Sequence, residues 1–93
     1  MENFKKYIEE NVEINKYVML SIKDIDNAEI KLNKPIENFN ANELLNLLKS
    51  QSYSSMARTR ALLSKYFDWC VIKRIIKENL FLVDNTLLLK NIN

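Results

Sequence analysis

YSSMARTRALLSKYFDWCVIKRIIK, residues 53–77, is the stretch on which the fold turns. At about 100° per residue, Met56, Thr59, Leu63, Tyr66, Phe67 and Cys70 fall on one stripe of a helix, and Ser54, Arg58, Ala61, Lys65 and Asp68 fall opposite. One face is dry and the other wet. Ser54 or Ser55 can cap the free N–H groups of a first turn, and Lys73, Arg74 and Lys77 suit a helix C-terminus, so the spacing predicts one long helix over 53–77.

Outward from this helix the chain reads as its support. Residues 2–11 form a short amphipathic helix with Phe4, Tyr7 and Ile8 inward. From about Ile14 to Leu32 a second series runs through Ile14, Tyr17, Val18, Ser21, Ile25, Ala28 and Leu32, with Lys16, Lys23, Asp24 and Glu29 on its exposed side. Met19, Leu20, Ile22 and Ile30 fall off the stripe, so this helix either meets neighbours on two sides or breaks near Asp24–Asn27. Asn33-Lys34-Pro35 ends it, because proline pushes the preceding residue out of the helical region. Asn40 and Glu43 make a capping box, with Phe39 and Leu44 as a staple, for a leucine-rich helix over Ala41–Lys49. After Glu78-Asn79, Leu80–Val83 reads as an apolar strap or short helix, and Leu87-Leu88-Leu89 either tucks under the core or awaits a partner.

Ninety-three residues suffice for one core, and no Gly with a single Pro leaves few residues for hairpin turns. The expectation is an all-α bundle of four to five helices spanning residues 1–84, with 85–93 a tail or linker. Net charge is +2, but residues 1–48 carry six Lys against nine Asp/Glu, and residues 49–78 carry seven Lys/Arg against two acids. Positive charge therefore gathers around the long helix, as on a surface that meets phosphate. The absence of His, of a Cys pair and of a Gly-rich phosphate loop leaves little for catalysis, so no metal, cofactor or independent enzyme is expected. A lone Cys70 excludes an internal disulfide. With no long apolar run and a charged start, the chain is expected to be cytoplasmic and free of membrane.

The run from Ser54 to Trp69, followed by Ile76-Lys77-Glu78-Asn79, resembles the core-binding, SAM-like N-terminal domain of phage integrases, the tyrosine recombinases. The matching features are a Ser/Thr-rich helix start, leucines, a basic residue before an aromatic pair and Trp, and an apolar residue three before Asn. The upstream order of helix, Lys-Pro-Ile link and Asn-capped leucine helix is similar too, and the resemblance covers roughly residues 4–84. Arg74 and Leu80 stand where the family often has Gly and Pro, which leaves the exit of the long helix open.

The resemblance implies a module that contacts duplex DNA at a recombination site through Ser54, Ser55, Arg58, Thr59 and Lys65, with Arg60 a flanking phosphate contact. Cleavage would belong to a separate catalytic domain, a possible partner that is not in these 93 residues. The basic side chains fit independently: Arg grips phosphate or guanine with two donors, and Ser and Thr bond phosphate or base. Two other readings compete. A protein-interaction module would self-associate through the Leu87–Leu89 tail, and a helix-turn-helix regulator would pair the Ala41 helix with the Ser54 helix.

Overall fold

The computed structural model describes residues 1–84 and Leu87, and among them there are five α-helices and one 3₁₀ turn, with no strand. The helices are α1 (Glu2–Asn11), α2 (Lys16–Leu32), α3 (Ala41–Lys49), α4 (Tyr53–Ile72) and α5 (Leu80–Val83). The protein is thus the small all-α bundle expected. No helix among the described residues is long and apolar enough to cross a membrane. Of the tail 85–93 only Leu87 can be described, and Leu88 and Leu89 lie outside the described residues.

The whole dry stripe of α4 is buried: Met56, Thr59, Leu63, Tyr66, Phe67 and Cys70. Through the rings of Tyr66 and Phe67 it gathers α1 and α5. Phe4 of α1 meets Tyr66 edge-on at 5.0 Å, Tyr7 lies 5.2 Å from it, and Phe81 of α5 meets Phe67 edge-on at 5.1 Å. Edge-to-face pairs of this kind add about 0.5–1.5 kcal/mol each beyond the area they bury. Trp69 is half-buried at the rim, 5.5 Å from Tyr7 and stacked at 5.9 Å on Tyr66. On the α2 side the approach is made by small hydroxyls, Thr59 Oγ1 donating to Ser21 Oγ at 3.0 Å inside the core.

Two buried carboxylates fasten the N-terminal segment. Glu37, in the 3₁₀ turn Ile36–Asn38, accepts from the Tyr66 hydroxyl at 2.9 Å and from Asn3 Nδ2 at 2.9 Å. Glu29 accepts the Ile36 N–H at 2.8 Å and pairs with the Met1 ammonium. Glu29 was expected on the exposed side of α2 and is buried instead. The partners that draw it inward sit on the Pro35 link and at the start of the chain, where helical spacing cannot see them.

The caps follow the sequence in part. Asn40 and Glu43 form the capping box of α3, both reciprocal bonds being 2.9 Å. Lys34 reaches the same carboxylate, and these two donors hold the Glu43 carboxyl below its ordinary range. α2 starts at Lys16 on an Asn15 cap and continues unbroken through Asp24–Asn27. It ends with Asn33 in the left-handed region, φ 53°, just before Pro35. α4 is capped by Ser52, not by Ser54 or Ser55.

The long helix stops five residues before Lys77. Arg74 takes φ 62°, its N–H bonds the Val71 carbonyl at 3.0 Å, and the Ile75 N–H bonds the Cys70 carbonyl at 2.8 Å. This is the six-to-one and five-to-two pairing of a Schellman motif, with Arg where Gly is usual. Holding a side chain in the left-handed region costs about 1 kcal/mol, so Arg74→Gly is expected to stabilise the protein by about that much. A melt of the dilute protein should then shift upward by about 4–8 °C.

Alkali should weaken the same core. Burial pushes the Cys70 thiol up from 9.0 to about 11. Burial and the hydrogen bonds with Cys70 and Glu37 push the Tyr66 phenol up as well. Each group is neutral at neutral pH and resists ionising when folded. The thiol's contribution is therefore complete below its unfolded value and lost as pH rises toward its folded one, and the phenol adds a loss of the same sign at higher pH. The urea midpoint is expected to be flat up to about pH 9 and to fall from there toward about pH 11, with native Cys70 inert to thiol reagents near pH 8.

Candidate nucleic-acid interface

The wet face of α4 carries Ser54, Ala57, Ala61, Lys65 and Asp68, all exposed, with Arg58 half-buried among them. Arg58 and Lys65 are two turns apart, so their side chains leave the same face about 10 Å from each other along the axis. The small Ala57 and Ala61 between them keep that face low, which lets a flat polyanion approach the helix closely. Lys65 has no ion-pair partner among the described residues.

Arg58 is held in place. Its Nη2 donates to Ser55 Oγ at 3.1 Å, which in turn accepts from Ser52 Oγ at 3.1 Å, and its guanidinium lies 5.1 Å over the Tyr17 ring. Its Nε is buried without a partner. An Arg fixed by an aromatic face and one hydroxyl loses less freedom when it meets a phosphate or a base edge. Ser55 is thus better placed to orient Arg58 than to reach a ligand itself.

Two of the expected contacts are corrected. Thr59 is fully buried, and its hydroxyl is bonded to Ser21, so it has no access to anything outside the core. Arg60 turns to the other side of α4, where Nε donates to the Leu87 carbonyl at 2.6 Å and Nη2 to the Phe81 carbonyl at 3.3 Å, with the cation 5.7 Å over the Phe81 ring. It ties the C-terminal strap to the bundle. Thr59 lies on the buried stripe that its spacing gives it, and Arg60 stands about 200° round the helix from Arg58, on the side that meets α5.

Lys16 and Tyr17 belong to the same surface and were not among the expected contacts. Tyr17 is half exposed in the first turn of α2, with Lys16 Nζ 5.0 Å over its ring and Arg58 against it. Its place in the apolar series of α2 hid it, although a Tyr behind a Lys at a helix start is the kind of amphipathic residue that lies at a rim. Beside this surface, a cleft of about 570 Å³ opens between α2, α3 and the start of α4, lined by polar groups that include Asp24, Asn27, Asn46, Gln51 and Ser52. Gln51 anchors its wall through Nε2 to Asp24 Oδ2 at 2.8 Å.

The surface therefore gathers Lys16, Tyr17, Ser54, Arg58 and Lys65 from two helices. It can bind an anion through charge and hydrogen bonds, and it holds no nucleophile paired with a base. No protein-family model matches the chain, and no curated protein or solved structure matches it either.

Proposed function

We propose that this chain is a duplex-DNA-binding module of the integrase type, in which the wet face of α4 lies along the phosphate backbone. The single observation that supports this most is the fixed Arg58, oriented by Ser55 and Tyr17 on the same face as the unpaired Lys65. Ser54 and Lys16 add donors around them, and the cations of Lys16, Arg58 and Lys65 draw DNA toward this side. The module supplies binding only, and strand cleavage belongs to a separate catalytic domain. The version of the interaction-module reading that relies on Leu87 loses support, because Leu87 is buried against its own core.

About three phosphate contacts give weak binding, with Kd about 10⁻⁴ to 10⁻⁶ M at ordinary salt and a roughly 40-fold loss between about 50 and 200 mM salt. Fluorescence anisotropy of a labelled duplex at the two salt concentrations tests this. Binding that is absent at low salt, or indifferent to salt, contradicts it.

A further inference from the structure

Away from α4, the outer sides of α1 and α2 enclose an apolar groove of about 620 Å³ walled by Ile8, Ile14, Met19, Ile22 and Ile30. Ile30 is 75% exposed and Met19 49%, so the groove presents large apolar side chains to solvent. Charged residues around it are mainly acidic: Glu2, Glu9 and Asp26 stand against Lys5, and Glu29 in its wall is neutralised by the Met1 ammonium. The groove-facing residues include Met19, Ile22 and Ile30, three of the four off-stripe residues of α2, which makes this second face of the helix an unfilled seat.

The opposite chemistry occurs at the C-terminal end of α4. Ile72 is 76% exposed and Ile75 37%, and Lys73, Arg74 and Lys77 around them are all exposed. The bonds from Arg74 to Val71 and from Ile75 to Cys70 hold this turn in one shape, so an apolar knob ringed by cations is presented ready-made. Within one molecule the two features do not meet, since Ile30 and Ile72 are each about three-quarters exposed.

We infer that the groove of one copy receives the Ile72–Lys77 knob of a second copy, with isoleucines buried in the seat and Lys73, Arg74 and Lys77 facing Glu2, Glu9 and Asp26. Apolar burial supplies the attraction, and the opposed charges fix orientation and reject a groove-to-groove or knob-to-knob pairing. The contact joins two different patches, so each copy offers one seat and one knob. It uses neither Arg58 nor Lys65 and stands independently of DNA binding.

Sedimentation of the full chain without DNA, from micromolar to about millimolar loading, tests it with Ile72→Glu, which spoils the knob, and Ile30→Lys, which spoils the seat. The wild type is expected to move toward twice the monomer mass or beyond as loading rises. Each variant should associate at least tenfold more weakly. An equimolar mixture of the two should associate again, because one variant keeps an intact seat and the other an intact knob. Circular dichroism checks the helices of both, and Ile75→Glu or Met19→Lys replaces either one that loses helix. A wild type that stays monomeric throughout, a knob variant that associates like the wild type, or a mixture that fails to associate overturns the inference.

Discussion

Tyr66→Ala is expected to cost about 3–5 kcal/mol, enough to leave so small a domain largely unfolded. The ring lies at the centre of the bundle, against Phe4, Tyr7, Phe67 and Trp69, so its removal opens a cavity that α1 and α4 share. The same change strips buried Glu37 of one of its two side-chain donors. Tyr66→Phe separates the two effects: it keeps the packing and removes only the hydroxyl, for an expected loss of about 1–3 kcal/mol. Urea unfolding of the pair reads the difference directly. Equal losses for Ala and Phe would mean that the hydrogen bond to Glu37, not the aromatic packing, holds the centre.

Arg58→Gln with Lys65→Gln carries the second large effect. The pair should lower DNA affinity beyond measurement at about 200 mM salt and, at low salt, flatten the salt dependence by about two contacts. The fold should survive, since Lys65 is exposed and Gln keeps much of the Arg58 stem. Thr59→Val serves as the control: it leaves the Ser21 hydroxyl without its buried partner and costs stability, about 1–3 kcal/mol, with no change in DNA affinity. If Thr59→Val weakened binding as much as the double variant in folded protein, the contact face would lie elsewhere.

Local pattern made much of the fold legible. The bounds of α1 and α3 follow from three-and-four spacing and, for α3, from a capping box whose two bonds are both made within four residues. The buried stripe of α4 was legible residue by residue because a long helix with one dry face admits a single phase. Its end was not, because Lys73 to Lys77 continues a helix-like pattern and nothing local announces that Arg74 will turn left-handed. Glu29 was misread for the opposite reason, its partners being long-range ones.

The candidate interface divides in the same way. Arg58 and Lys65 were legible as one face, since seven residues return a helix to nearly the same angle. Their surroundings were not: the ring that steadies Arg58 comes from Tyr17, forty-one positions earlier. The carbonyls that occupy Arg60 come from Phe81 and Leu87, on a strap that only the folded chain brings near. Residue type showed where cations gather, and packing decided which of them are free.

An NMR titration of labelled protein with a short AT-rich duplex, at low and then higher salt, shows whether the wet face of α4 meets DNA. Shifts confined to Lys16–Tyr17 and Ser54–Lys65, which fade as salt rises and spare Arg60 and Thr59 side-chain signals, are the predicted result. Saturating DNA that leaves those resonances in place, or shifts that centre on another face, would contradict it.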